Sequence, residues 1–200
     1  MNNINLLEFI KNSPKTELHL HIEGTLEPEQ MFSLAKRNNV QIPFKNVNEA
    51  KKAYNFNNLE SFLKIYYEGT KVLIKEQDFF ELTWAYALKC KEDNIVHTEI
   101  FFDPQTHTNR EISFDIVING IYKALKKAEK EFGLSFKIIM CFLRHLNEEE
   151  CFNILDQALA HKDKIFGVGL DSSETNNPPK KFERLFKKAA ENNFIVVAHA

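Results

Sequence analysis

The sequence contains few cysteines, and those it has are poorly placed for a cross-linked or cysteine-ligated fold. Only three occur among 200 residues, Cys90, Cys141 and Cys151, and they share no close metal-ligand spacing. An odd number of widely spaced thiols argues against a disulfide framework. We expect three reduced, structural cysteines, as is typical of a cytoplasmic protein.

Long apolar stretches and a strong charge of either sign are also missing. The longest apolar runs are short, such as residues 194–198, whereas a membrane-spanning helix needs about 20 apolar residues. The first 14 residues lack the basic start and apolar stretch of a signal peptide. A net charge of -2 gives no basic footprint for nucleic acid. With 44% hydrophobic and 27% charged residues, the composition indicates a soluble globular protein without a membrane or nucleic-acid partner.

Segments rich in valine, isoleucine and phenylalanine alternate with segments of helical periodicity along most of the chain. This alternation favours parallel β-α-β units. Strands are predicted at 16–22, 95–102, 134–143, 166–170 and 194–199. Helices are predicted at 6–12, 28–37, 59–73, 76–92, 114–132, 147–161 and 179–192. Residues 41–58 are predicted to form an insertion with little regular structure, in which 48–54 has helical character.

Five parallel strands predict an α/β fold and fit part of a larger barrel. A closed (β/α)8 barrel of the TIM type needs eight strands and typically about 250 residues, so 200 residues predict a partial barrel. An open, doubly wound sheet is the other parallel arrangement, but its usual glycine-rich loop after the first strand is missing. Because no repeat, low-complexity tract or linker divides the chain, we expect residues 1–200 to form a single, incomplete barrel domain.

The first predicted strand carries two histidines with the spacing of metal ligands. His19 and His21 project to one face, because side chains two residues apart in a strand point the same way. Such a pair can also arise by chance, at roughly 0.2 per chain with this histidine content. His199 strengthens the metal interpretation, since it lies at the end of another predicted strand and the strand ends of a barrel meet at its active-site mouth.

Four segments resemble signature motifs of the adenosine and adenine deaminase family. They are PKTELHLHIEGTLEP (14–28), FFDPQTHT (101–108), GLDSSE with the following NPPKKF (169–174 and 177–182), and AHA (198–200). The first is similar to the opening signature of the family. The second and third are similar to segments of the bacterial and fungal adenine deaminases, and the last to the start of a His-Ala-Gly-Glu motif. The resemblance spans the whole chain.

The resemblance implies a metal-dependent (β/α)8 barrel that hydrolyses a purine amino group to a keto group, as in purine salvage. By motif position, His19, His21 and His199 are the Zn²⁺ ligands. The proton-transferring glutamate of the His-Ala-Gly-Glu motif and later histidine and aspartate residues fall beyond Ala200. The resemblance thus implies an N-terminal fragment that contains none of the catalytic acid–base residues and is inactive alone.

The same motifs supply candidate substrate-binding residues. They are Glu23, Gly24, Asp171, Ser172, Ser173 and Glu174. Adenosine-type relatives have aspartate at the position of Glu23 and a Gly-Asp-Glu run where this chain has residues 171–174. The longer Glu23 and the bulkier Glu174 are expected to fill space that a ribose needs, which favours adenine as the small-molecule substrate. The alternatives are a solvated turn position for Glu23 or Glu174 and turn-capping roles for the two serines.

Two other functions stay open from the sequence. One is an adenosine deaminase with an unusual pocket, and the other is a non-catalytic metal-binding or interaction protein of the same fold. Five of eight strands leave two sheet edges unpaired, so self-association through the open edges of the barrel is also expected.

The remaining histidines and an aromatic segment have weaker signals. His97 is expected to be a hydrogen-bonded barrel residue, His107 is a candidate for the barrel mouth, and His145 and His161 are expected at the surface or at helix ends. An aromatic cluster precedes the second strand and is expected either to stack on a purine base or to pack in the core. It consists of Phe56, Leu59, Phe62, Leu63, Tyr66 and Tyr67.

Overall fold

A computed structural model describes residues 6–199, and within them five parallel strands form one sheet. The strands are β1 (Lys15–His21), β2 (Ile95–Phe102), β3 (Ser135–Leu143), β4 (Gly167–Asp171) and β5 (Ile195–Val196). Each strand pairs with its sequence neighbours, and the order across the sheet is β1 to β5. This progression is that of a (β/α) barrel segment and confirms the predicted partial parallel α/β architecture.

One helix precedes β1, and the others occupy the connections between the strands. They are α1 (Leu6–Asn12), α2 (Pro28–Asn38), α3 (Val47–Ala53), α4 (Leu59–Thr70), α5 (Glu76–Glu92), α6 (Pro104–Thr108), α7 (Phe114–Phe132), α8 (Glu148–Leu159) and α9 (Glu183–Glu191). Two 3-10 turns, Ile22–Thr25 and Pro179–Phe182, follow β1 and precede α9. No helix between residues 6 and 199 is long and apolar enough to cross a membrane.

The two faces of the sheet have different neighbours. On β3, Ile138, Met140 and Phe142 belong to the large core that the sheet shares with the helices. Ile139 and Cys141 point the other way and form a small apolar cluster with Phe101 of β2. The helices therefore lie on the outside of the curved sheet, and the alternate side chains face the interior of the barrel.

Close packing of α5 against α7 depends on a glycine. A Cβ atom built at Gly120 of α7 would lie 2.5 Å from the carbonyl oxygen of Glu76 and 2.6 Å from Cβ of Phe79. Both are closer than any normal contact, so a side chain at this position would force the two helices apart. The absence of a side chain at Gly120 therefore allows α5 and α7 to pack in direct contact.

Several segments differ from the sequence-based expectation. The helix predicted at 179–192 is a 3-10 turn, Pro179–Phe182, followed by α9, and the helix predicted at 59–73 ends at Thr70. β5 covers Ile195–Val196 and not 194–199, because the last bond to β4 is from the N–H of Val197 to the carbonyl oxygen of Val168. The residues after β2, for which the sequence predicts no helix, form α6, and Pro104 lies in its first turn. The predicted helical character at 48–54 is matched within one residue by α3, which Asn46 caps by accepting from the N–H of Glu49.

Candidate active site

The histidine pair lies at the carboxyl end of β1 on the inner face of the sheet. Phe101, which β2 places beside His21 in the register, packs against both rings. The ring centroid of Phe101 lies 4.9 Å from that of His19 and 5.2 Å from that of His21. Packing on one aromatic ring limits the orientations of both imidazoles and holds them side by side.

His199 completes a group of three convergent imidazoles. Its Nε2 lies 3.1 Å from Nε2 of His19 and 2.9 Å from Nε2 of His21. Nitrogens that bind zinc at ~2.0–2.1 Å in tetrahedral geometry are about 3.3 Å apart. The three rings therefore point their Nε2 atoms at a common volume of the size that one ion occupies, and their donor set suits zinc.

A second layer of carboxylates lies behind His21. Its Nδ1 is 3.3 Å from Oδ2 of Asp171 and 3.7 Å from Oδ1 of Asp103. Both carboxylates are buried, and the Oδ1 atom of each has no hydrogen-bond partner. Metal-binding histidines commonly donate their second ring N–H to such a carboxylate, which fixes the tautomer and the ring orientation. Buried, incompletely neutralised carboxylates also favour a cation at this end of the sheet.

The electrostatic environments of His21 and His199 differ. Burial alone would lower the pKa of His21, but the hydrogen bond and charge of Asp103, together with the charge of Glu23, outweigh it and raise that pKa. Burial and the neighbouring rings of His21 and His19 lower the pKa of His199 to about 4, so that its ring offers a lone pair at neutral pH. Burial raises the pKa of Asp171 well above its usual range, and the adjacent carboxylate of Asp103 adds to this effect. A bound cation would favour the ionised form of both aspartates.

A cleft of about 570 Å³ opens beside the three histidines, within the range of small-molecule sites. One wall is apolar and comes from α4. The opposite end is polar and comes from the ends of the strands. The lining residues are His19, Leu20, His21, Gly24, Thr25, Leu59, Phe62, Leu63, Tyr66, Tyr67, Asp103, Asp171, Ser172, Glu174 and His199. A second groove of about 530 Å³ lies between β1 and α5, and no histidine lines it.

Ser172 joins the cleft wall to α4. Its backbone φ is 76°, a left-handed conformation that is uncommon for serine. The hydroxyl lies 2.9 Å from the hydroxyl of Tyr67 on α4 and 2.9 Å from Nδ1 of His145. Non-glycine residues held in this conformation occur preferentially at functional sites.

The sequence profile of the adenosine deaminase family matches this chain over residues 14–200. The chain belongs to the adenosine deaminase family. The match includes both β1 histidines and His199, and so covers the three convergent imidazoles.

Individual relatives agree with the family. The adenine deaminases of Acinetobacter baylyi and Wolinella succinogenes are each 60% identical to this chain over 98% of its length. The crystal structure of an adenine deaminase from Arthrobacter aurescens superposes with a TM-score of 0.90 at 45% identity, covering 94% of this chain and 57% of that one. An amidohydrolase from Burkholderia ambifaria, crystallised with bound Zn, shares the fold with a TM-score of 0.85 at 23% identity, covering 96% of this chain and 53% of that one. The chain spans 59% of the length of the two curated relatives.

Glu23 does not line the cleft, although family motifs made it a candidate for substrate contact. It is 3% exposed, so the alternative of a solvated turn is wrong. Its carboxylate accepts from the backbone N–H of Asp103 at 3.0 Å and lies 3.1 Å from Nε2 of His107. Gly24, the next residue, does line the cleft. The burial of Glu23 indicates a role in holding the site together and not in excluding a sugar directly.

The residues after β4 have separate positions. Asp171 lies behind His21, and Ser172 and Glu174 line the cleft. Ser173 does not line it, and its carbonyl oxygen accepts from the side chain of Asn177. Glu174 is held by an ion pair with Arg144, whose side chain is 5% exposed while that of Glu174 is 70% exposed. Arg144 therefore fixes an otherwise mobile carboxylate at the rim of the cleft.

The other histidines are distributed as follows. His107 is fully buried, so its predicted candidacy for the mouth is wrong. His97 has the expected hydrogen-bond partner, with Nδ1 at 2.9 Å from the hydroxyl of Ser135. His161 lies just after α8 and His145 is exposed, both as predicted. His145 also contacts the cleft residue Ser172.

Sequence reasoning missed Asp103, Arg144 and the hydroxyl of Tyr66 as parts of the site. Asp103 follows β2 directly, and Arg144 follows β3 directly. Because the carboxyl ends of parallel strands lie at one edge of a barrel, a charged residue after a buried strand is the signal that identifies them. Tyr66 gives no such signal, because helical periodicity alone does not distinguish a buried hydroxyl from core packing.

Proposed function

We propose that the natural full-length protein containing this chain is a zinc-dependent adenine deaminase. The reaction is adenine plus water to hypoxanthine plus ammonia, a step of purine salvage that we place in the cytoplasm. The single observation that carries this proposal is the convergence of His19, His21 and His199 beside a cleft of small-molecule size. The names of the relatives at 60% identity support adenine as the substrate.

The donor set fits a zinc ion. The Nε2 of His199 lies within hydrogen-bonding distance of the Nε2 atoms of both His19 and His21, and the ring of His21 has buried carboxylates behind it. When bound, zinc would supply a water of lowered pKa, so that hydroxide becomes available near neutral pH. A site with three protein ligands leaves positions for a further ligand and for substrate.

The residues of this chain orient the ligands and shape the cleft. Asp171 and Asp103 lie 3.3 and 3.7 Å from Nδ1 of His21, and these carboxylates favour a ring orientation that keeps its Nε2 directed at the metal position. The apolar wall of α4, including Phe62 and Leu63, excludes water from one side of a planar base and offers it an apolar surface. The proton-transferring glutamate expected from the family motif falls outside residues 1–200, so deamination is proposed for the full-length protein.

Adenine is favoured over adenosine by the polar rim of the cleft. Glu174 stands at this rim and is fixed there by the buried guanidinium of Arg144. A carboxylate held in place occupies room that a ribose would need, whereas a flexible one would move aside. Glu23 contributes indirectly through its buried contacts.

The assay for this function compares the two substrates directly. The natural full-length protein, loaded with zinc, is expected to deaminate adenine with a kcat/KM at least about tenfold higher than for adenosine, because a rim built to exclude a substituent discriminates at that level. Loss of adenine absorbance and release of ammonia are measured together. The control is the same protein after chelation, which should be inactive. A preference for adenosine would overturn the adenine assignment, and deamination of neither purine by zinc-loaded protein would overturn the enzyme assignment.

Residues 1–200 expressed alone are predicted to self-associate. Within 6–199, β1 and β5 each have one sheet neighbour, and apolar side chains along the sheet are exposed, including Leu18, Val96 and Ile195. Unpaired strand edges and apolar patches favour association. Sedimentation velocity is expected to detect dimers or larger species whose proportion rises with concentration. A monomer at all concentrations would contradict the prediction.

A further inference from the structure

Hydrogen bonds connect the carboxyl-terminal end of α4 to Arg110, which follows α6. The guanidinium donates to the carbonyl oxygens of Thr70, Lys71 and Leu73 at 3.1 to 3.2 Å. The last carbonyls of a helix lack partners within the helix, so these bonds cap α4. The same guanidinium also donates to Nδ1 of His107 at 2.9 Å.

His107 extends this connection into the interior. Its Nε2 lies 3.1 Å from Oε1 of Glu23, and both side chains are fully buried. An imidazole with its hydrogen on Nε2 satisfies both contacts, because Nδ1 then accepts from Arg110 and Nε2–H donates to the carboxylate. Phe79 packs edge-on against the ring with centroids 4.8 Å apart, which restricts it further.

Glu23 connects the series to the second layer of the candidate site. Its Oε1 also accepts the backbone N–H of Asp103 at 3.0 Å. The hydroxyl of Tyr66 on α4 lies 3.2 Å from Oε2 of Glu23 and 2.8 Å from Oδ2 of Asp103. Asp103 in turn lies beside Nδ1 of His21. The contacts Arg110–His107–Glu23 therefore connect the carboxyl-terminal end of α4 to Asp103, which lies beside the candidate ligand His21.

We propose that His107 and Arg110 are positioning residues of the active site, a role that rests on the proposed zinc enzyme. They hold the carboxylate of Glu23, and Glu23 holds Tyr66 and Asp103, so that α4 and His21 keep a fixed relation to each other. Neither residue lines the cleft beside the histidines. Their effect on zinc and substrate is exerted through Glu23.

A purely structural role would have a different signature. If Arg110 acted only as a cap, its loss would loosen α4, and replacement of His107 would leave zinc binding unchanged. In a positioning role, replacement of His107 weakens zinc binding even though Arg110 still caps the helix. His107→Leu and Arg110→Met separate the two roles, because the first breaks the connection and the second removes both the connection and the cap.

The experiment uses the natural full-length protein and measures zinc affinity by competition with a chromophoric chelator. Both variants are expected to raise the zinc Kd by about 10- to 100-fold, the usual effect of removing an outer-shell partner. Hydrogen exchange of the α4 amides should become at least about tenfold faster in Arg110→Met than in His107→Leu. Lys71→Met is the matched control, since it removes a cation at the same helix end that pairs with Glu68 and does not contact His107. Its zinc Kd should stay within about twofold of the original value, as for a surface ion pair.

The outcomes distinguish this inference from the proposed function. An unchanged zinc Kd in His107→Leu overturns the positioning role, even if the original protein deaminates adenine. A raised Kd in both variants supports it, even if the original protein binds zinc without deaminating adenine. An original protein that binds no zinc overturns both. If His107→Leu does not fold, an unchanged zinc Kd in Arg110→Met overturns the inference.

Discussion

Replacing His21 by alanine is expected to abolish zinc binding and to lower kcat/KM for adenine by about 10³-fold or more. The Nε2 of His21 converges with those of His19 and His199, and its Nδ1 faces Asp171. The variant loses one of the three proposed ligands and leaves the carboxylates of Asp103 and Asp171 without their neighbouring imidazole. A metal supplies several kcal/mol of transition-state stabilisation, and each 1.36 kcal/mol corresponds to a factor of ten in rate. Metal analysis and the adenine assay are made on the same preparation of full-length protein.

The matched control for this variant is His97→Ala. His97 lies on the neighbouring strand β2, but its ring contacts Ser135 and Glu99, away from the cleft. Zinc content should be unchanged and kcat/KM should fall by less than about threefold, because a partly exposed hydrogen bond contributes little. Stoichiometric zinc and more than a tenth of the original activity in His21→Ala would show that this histidine is not a ligand.

Replacing Asp78 by alanine is expected to give the largest loss of stability, about 3 kcal/mol in the free energy of unfolding. The carboxylate is buried at the start of α5. It accepts from the N–H groups of Ile74 and Lys75, from the side chain of Asn38 and from Arg37. Hydrogen bonds to a charged group contribute about 1.5–3 kcal/mol each, and removing the acceptor leaves buried donors unsatisfied. Denaturant unfolding of the full-length protein measures the effect.

The loss should depend on pH in a defined direction. Burial alone would raise the pKa of Asp78, but the N–H groups of Lys75 and Ile74 and the side chains of Arg37 and Asn38 outweigh it and lower the pKa. A lowered carboxyl pKa stabilises the fold above the unfolded value of about 3.9. That stabilisation is lost as the pH falls through the lower folded pKa. The difference between Asp78→Ala and the original protein should therefore shrink below about pH 4.

Glu81→Ala is the control for Asp78→Ala. Glu81 also pairs with Arg37, but its side chain is 36% exposed. Exposed ion pairs contribute about 1 kcal/mol or less, so this variant should unfold with nearly the original free energy. Equal losses in the two variants would mean that Arg37, and not the group of buried bonds at Asp78, dominates the stability of this region.

The strand order and three of the site residues could be predicted because they follow from local pattern. Alternating apolar and polar residues place His19 and His21 on one face of β1, and the β-α-β alternation brings strand ends together. These rules need no knowledge of tertiary contacts. His199 is beside the pair although β5 is shorter than predicted, because the chain continues past Val197 in the same direction.

The buried contacts of Glu23 and His107 could not be predicted in the same way. Glu23 was expected to contact substrate or solvent, but it is buried by Tyr66 and His107, which lie 43 and 84 residues further along the chain. Partners this remote are set by how α4 and α6 pack, which sequence periodicity does not specify. The burial of His107 has the same cause. Phe79 and Glu23 enclose its ring, and neither contact can be inferred from the sequence around Pro104.

The central claim is that His19, His21 and His199 together hold the metal of an adenine-deaminating site. Anomalous diffraction from crystals of the zinc-loaded full-length protein, collected above and below the zinc absorption edge, tests this directly. We expect one anomalous peak at ~2.0–2.1 Å from the Nε2 atoms of all three histidines. A peak bound elsewhere, or bound by fewer than two of these histidines, would contradict it.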